Sequence, residues 1–155
     1  MERSVNQIKN EFQLVADAHG QIESFYWDNF LDAIEMRPRY PMLCCTLVPA
    51  ELTVEETLLE IQVVIADRFL EDRSNYADVQ SDTLQILKDL HSIIHLSRFQ
   101  SLATAETIQR ADFFEGAAGD HLCGWSMLLR LKLVDARNYA NMPLTNYNPL
   151  TRYEL

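Results

Sequence analysis

The chain has 155 residues, 48% of them hydrophobic and 23% charged, and its 23 acidic and 13 basic residues give a net charge of −10. This length suits one domain with a core of its own, and the composition argues against wholesale disorder. The excess of acidic residues argues against a surface that binds nucleic-acid phosphates. No apolar run approaches the ~20 residues of a membrane-spanning helix and no signal peptide is visible, so we expect an intracellular protein when it is made.

Two helices are predicted in the first 35 residues. The first spans residues 4–20, with Ser4 as N-cap and Gly20 as stop, because its apolar residues recur at steps of three and four: Val5, Ile8, Phe12 and Val15. An aromatic link, QIESFYW, separates it from a short helix over residues 28–35 that Asp28 opens.

Two strands are predicted next. Residues 42–48 are apolar on both faces and lie between Pro41 and Pro49, which indicates a strand covered on both sides and limited by the prolines. Residues 54–67 alternate, which indicates a half-buried strand with one apolar side: Leu59, Ile61, Val63 and Ile65.

The second half of the chain begins with the longest predicted helix, over residues 72–99. Its apolar stripe has the helical period: Val79, Ile86, Leu87, Leu90 and Ile94. A strand over residues 104–116, a turn and a last strand follow as a hairpin, and in the last strand the odd positions from Cys123 to Leu133 are all apolar.

The order of these elements predicts an α+β fold: a mostly antiparallel four-stranded sheet with helices packed on one face. Residues 1–137 form the single domain in this interpretation. Residues 138–155 have neither helical nor strand period and form an extended C-terminal arm, whose aromatic residues would gain from docking: Tyr139, Tyr147 and Tyr153.

The residues that could carry chemistry are few. His91 and His95, four apart on the long helix, could share a metal, but no third ligand has a supporting spacing. Asp120, His121 and Cys123 match a catalytic triad by type, yet a cysteine inside the apolar stripe would be unreactive. We expect all three cysteines to be core residues, and we predict no catalytic residue, no metal site and no cofactor.

Three segments together resemble a family of small virion proteins of tailed bacteriophages. They are the N-terminal helix IKNEFQLVADAHGQIESFYWDNFLDAI, the strand RYPMLCCTL and the segment DHLCGWSMLLRLKLVDARNYANMP. The chain is similar to head-to-tail connector proteins, tail completion (tail terminator) or neck ring proteins, as in crAss-like phages, through Asp120, Gly124, Trp125 and Met142-Pro143. The resemblance runs from about Val5 to Pro143.

The resemblance implies a structural role without catalysis. Six or twelve copies would form a closed ring between the portal or its adaptor and the tail, and DNA would pass through the ring without specific binding. The protein would lie in the virion and, during assembly, in the host cytoplasm. Candidate subunit-contact residues are Arg130, Lys132, Tyr139, Tyr147 and Tyr153. Candidate channel-lining residues, which would repel phosphates, are Glu51, Glu55, Glu56, Glu60, Glu71 and Asp72.

Two other classes of function stay open. One is a small cellular α+β ligand-binding or regulatory module, with a ligand near Trp27 or Trp125. The other is an enzyme that uses His91, His95 or His121, which predicts a bound metal or a pH-dependent activity.

Overall fold

A computed structural model describes residues 5–53, 56–96, 104–105, 109–117 and 120–134. In chain order its elements are α1 (Val5–Ala18), β1 (Ser24–Trp27), α2 (Phe30–Glu35), β2 (Met42–Leu52), β3 (Glu56–Arg68), α3 (Tyr76–Leu96), β4 (Thr104–Ala105), β5 (Ala111–Ala117) and β6 (Asp120–Val134). Within these ranges, none of the helices has the length and apolar character needed to cross a membrane.

The strands form one sheet in the order β1-β2-β3-β6, with β4 and β5 end to end along the outer edge of β6. All pairings are antiparallel except that of β1 with β2. The α+β class and the mostly antiparallel sheet are therefore confirmed. The prediction of four strands was wrong. The sheet has six strands, and because β4 and β5 share one edge of β6, it is five strands wide.

Both missed strands are short. The aromatic link contains β1, whose four residues pair in parallel with Met42–Cys45 and are too few to show an alternating pattern. The strand predicted over residues 104–116 is two strands that pair with different parts of β6, at Leu131–Lys132 and at 120–127.

The first face of the sheet carries the main core and is covered by α1 and α3. The predicted alternation is confirmed, since Leu59, Ile61, Val63 and Ile65 all point to this face. The odd positions of β6 from Met127 to Leu133 join them, with Trp125 partly buried, whereas Cys123 packs in a separate small cluster with Phe69 and Val79. The buried helical residues that meet them are Ile8, Phe12, Ala16, Ile86, Leu87, Leu90 and Ile94.

The second face carries a smaller core at one end, covered by α2. Ala33 and Ile34 of α2 pack there against even-numbered residues of β3 and β6 and against the start of β2: Met42, Cys44, Val64, Ala66 and Leu122. The helices thus lie on both faces, and the prediction of one face was wrong. The physical reason is that the strands are apolar on both sides at this end, so both sides need cover.

Two predicted boundaries also change. Pro49 does not end β2, because the register shifts between Val48 and Ala50 and a bulge accommodates the proline. The N-cap of α2 is Asn29 and not Asp28. The Asn29 side chain accepts a hydrogen bond from the Leu31 backbone N–H (2.9 Å).

A polar contact ties the end of α1 to α3. His19 Nε2 lies 2.9 Å from Asp89 Oδ2, and His19 Nδ1 accepts from the backbone N–H of Gln21 (3.2 Å). Because Nδ1 accepts, the neutral imidazole carries its proton on Nε2 and donates it to Asp89. The other carboxylate oxygen of Asp89 accepts from Gln85 Nε2 (3.0 Å). These bonds, that of His19 first, lower the pKa of Asp89.

Replacing the carboxyl group of Asp89 should cause a loss of stability that depends on pH. A lowered pKa in the folded state means that the stabilising contribution is present above the usual carboxyl pKa of ~3.9 and is lost as pH falls through the folded value. Since Asp89 is 39% exposed, we expect Asp89→Asn to lower the free energy of unfolding by about 0.5 to 1 kcal/mol near neutral pH. Urea unfolding from pH 7 to pH 3 should show the difference from wild type shrinking below pH 4. Asp17→Asn, at an exposed carboxylate of α1, is the matched control, and a difference that persists unchanged into acid would contradict the prediction.

Candidate functional site

The part of the second sheet face that α2 leaves uncovered carries a cluster of charged side chains. We define the charged patch as Glu56 and Glu60 of β3 with Arg130 and Lys132 of β6. Glu60 is the direct cross-strand neighbour of Arg130. All four residues have even numbers, so they share the face of Val64 and Ala66, and their side chains are exposed or half-buried.

The charges of the patch are paired within the chain. Arg130 Nε lies 3.3 Å from Glu60 Oε1, and Lys132 Nζ lies 2.8 Å from Glu56 Oε1. Pairs of this kind contribute only about 0 to 1 kcal/mol each, because water screens them and ordering long side chains costs entropy. They can therefore exchange partners at small cost when another charged surface approaches.

The structure brings together residues that the sequence assigned to two different surfaces. Arg130 and Lys132 were predicted at a subunit contact and Glu56 and Glu60 at a channel wall, yet all four lie side by side. Glu51 belongs to the same region, since it is exposed on β2 opposite Leu58, the neighbour of Lys132.

The remaining acidic candidates do not join the charged patch. Glu71 and Asp72 follow β3 at its far end, and a strand of 13 residues separates its two ends by roughly 40 Å. Asp72 is engaged locally, where it accepts a hydrogen bond from the Ser74 N–H (3.0 Å) that lowers its pKa. Glu55 and the three candidate tyrosines of the arm, Tyr139, Tyr147 and Tyr153, lie outside the described residues.

A second polar cluster, which the sequence did not reveal, holds the loop before α3 against β5. Arg73 Nη1 donates to Glu115 Oε1 (2.5 Å), and the Tyr76 hydroxyl donates to Glu115 Oε2 (2.8 Å). The Arg73 guanidinium also lies over the Tyr76 ring, 4.0 Å from its centroid. The hydrogen bond from Arg73, and to a smaller extent that from Tyr76, lowers the pKa of Glu115. Residues 39 and 42 positions apart come together here, so no local pattern could have indicated the contact.

The two tryptophans belong to the edge of the main core. Trp27 packs against Phe12, with ring centroids 6.2 Å apart. Trp125 packs against Phe113 at 5.2 Å, and its indole N–H donates to the backbone oxygen of Gln80 (2.9 Å). Both indoles are thus held by protein contacts.

Of the candidate catalytic residues, the three cysteines are buried. Burial raises the pKa of Cys44 and Cys123 to about 11 and that of Cys45 well above its usual value, so these thiols stay protonated at neutral pH, and their assignment to the core is confirmed. His91 and His95 stack edge to face, with centroids 4.5 Å apart. Across the described ranges, no three His, Cys, Asp or Glu side chains are grouped so that they could hold a metal ion.

Comparison with known proteins adds no family assignment. No family model matches the chain, and no curated protein matches it.

Proposed function

We propose that this protein is a structural, non-catalytic subunit of a ring at the head-to-tail junction of a tailed bacteriophage, a tail terminator or neck ring protein. In this proposal six or twelve copies close into a ring that joins the portal or its adaptor to the tail. DNA passes through the central channel without specific binding. The proposal comes from the resemblance of three sequence segments to this class of virion protein.

The charged patch is the structural observation that supports the proposal best. It presents two anions beside two cations on a rigid sheet, where β3 and β6 pair along all 13 residues of β3. A closed ring needs a heterologous contact, in which two different surfaces of neighbouring copies meet. A guanidinium has five N–H donors, so the contact of Arg130 with Glu60 leaves it able to bind a carboxylate of a neighbour as well.

The acidic candidates for the channel wall give this end of the sheet only a small net negative charge. Glu51, Glu56 and Glu60 lie together, but Arg130 and Lys132 offset the charges of Glu60 and Glu56. In the proposal, a wall at this place would therefore repel DNA phosphates mainly through Glu51. Glu71 and Asp72, at the far end of β3, would line the channel at a different height or face outside solvent.

Truncating Arg130 tests the subunit contact. The Arg130 side chain is 59% exposed, so we expect Arg130→Ala to change the free energy of unfolding by less than about 0.5 kcal/mol. Loss of a charge-assisted contact should raise the subunit concentration needed for ring formation roughly tenfold. Mass photometry of the ring population and urea unfolding measure the two effects separately.

Arg110→Ala is the matched control, because Arg110 is 88% exposed and lies 2.7 Å from Asp112 in a similar surface pair. If Arg130→Ala and Arg110→Ala form rings equally well, the charged patch is not part of the subunit interface. Electron microscopy of the intact particle tests the function itself. We expect a closed ring of this protein between head and tail, whereas a protein that stays a monomer or dimer in its native setting would favour the small ligand-binding module.

A further inference from the structure

We propose that the cavity between α3 and the start of β5 binds a small monocarboxylate with a compact apolar body. The cavity has a volume of about 230 Å³ and lies beside the main core. This site is independent of the charged patch, which lies on the opposite face of the sheet. The proposal therefore stands or falls separately from ring formation.

The inner wall of the cavity is apolar. It consists of Leu84 and Leu87 of α3 and Met127 of β6, and Leu87 and Met127 are almost fully buried. An engineered apolar cavity of roughly 150 Å³ takes up benzene, so a cavity of this size holds one six-membered ring and leaves room for a carboxylate. The wall thus suits a compact apolar group.

The outer rim of the cavity offers hydrogen-bond donors. Lys88 and Ser92 are both exposed and lie four residues apart on α3, so their side chains are neighbours on one side of the helix. His91 and Gln109 complete the rim, and none of the described residues that line the cavity is acidic. In a chain with 23 acidic residues, a rim of this composition favours an anionic group on the ligand.

Lys88 is the cation that decides this preference. It forms no ion pair with another described residue. The adjacent acid, Asp89, is hydrogen-bonded to His19 and Gln85, and the charge of Lys88 adds a weaker contribution to its lowered pKa. The nearest acid of β5, Asp112, belongs to the other face of the sheet and pairs with Arg110. Charges beyond a Debye length of ~8 Å are screened at physiological salt, so the local charge at the rim is set by Lys88 and its neighbour Asp89 and not by the overall negative charge.

The expected binding mode follows from the apolar inner wall and the polar outer rim. The apolar body of the ligand lies against Leu84, Leu87 and Met127. Its carboxylate accepts hydrogen bonds from Lys88 Nζ and the Ser92 hydroxyl at the mouth. An amine of the same shape would meet Lys88 with like charge, and a neutral alcohol would keep the apolar contacts alone.

Ligand-observed fluorine NMR with para-fluorobenzoate tests the proposal, because the signal of the small probe reports binding to a protein of any assembly size. We expect saturable binding of para-fluorobenzoate, weaker binding of para-fluorobenzyl alcohol and none of para-fluorobenzylamine. Lys88→Gln should weaken binding of the acid roughly three- to tenfold, since the contact is charge-assisted but exposed, and should leave the alcohol unchanged. Lys9→Gln, at an exposed lysine of α1, is the matched control and should change neither.

A second variant tests the apolar wall. Leu84→Trp should fill the cavity and abolish binding of both the acid and the alcohol. The proposal is overturned if para-fluorobenzoate does not bind at millimolar concentration, if the amine binds as well as the acid, or if Lys88→Gln and Lys9→Gln weaken binding equally. The Lys88→Gln result decides the matter even if the tryptophan variant fails to fold.

Discussion

Replacing Gly124 with alanine is expected to destabilise the protein by about 3 kcal/mol or more, because β6 has no room for a side chain at this position. A Cβ there would lie 1.8 Å from the carbonyl oxygen of Ile65 and 2.9 Å from its carbonyl carbon. Both atoms belong to the backbone of β3, which cannot move without shifting the whole ladder. Urea unfolding followed by circular dichroism measures the loss.

Gly20→Ala provides the matched control for this prediction. A Cβ at Gly20 would have no atom within 4 Å, so we expect a change of less than about 0.5 kcal/mol. Equal stabilities of Gly124→Ala and Gly20→Ala would show that the two strands do not approach as described.

Replacing Phe12 with alanine is expected to cost about 3 to 5 kcal/mol, because it leaves a cavity under α1. Phe12 is 1% exposed and packs among residues of β2 and β3 in the main core, with its ring next to Trp27. The midpoint of urea unfolding should fall while its slope stays constant, which is the mark of a change in stability alone.

Leu14→Ala, two residues along the same helix, is the control. Leu14 is 49% exposed, and its truncation should change the free energy of unfolding by less than about 0.5 kcal/mol. If both substitutions lowered the free energy of unfolding by a similar amount, Phe12 would not lie on the buried face of α1 and Leu14 on its exposed face.

Sequence periodicity predicted the long elements well. The stripe of α3 and the alternation of β3 and β6 span many residues, so burial repeats often enough to be visible. The short elements failed for the opposite reason, since four residues in β1 and two in β4 show no period. The burial of the second face of β3 was missed because the alternating pattern assigned that whole face to solvent. Val64 and Ala66 are small, so they did not stand out as core residues there.

The residues of the charged patch were named from the sequence, but their arrangement could not be predicted from it. Cations and carboxylates were identified by type, but one-dimensional spacing could not show that Arg130 is the cross-strand neighbour of Glu60. The contact of Arg73 and Tyr76 with Glu115 was hidden for the same reason. The cavity beside Lys88 depends on how α3 lies against β5 and β6, and no sequence pattern reports that placement.

The burial of the cysteines has a practical consequence. The chain has three cysteines, and all three are buried with raised pKa values. A thiol-specific dye reacts with exposed thiolates, so the native protein should label slowly at neutral pH. One cysteine introduced at an exposed position would then be a selective attachment point for a fluorophore. Energy transfer between labelled copies would then show whether copies of the protein associate, and how fast, without removal of any native thiol.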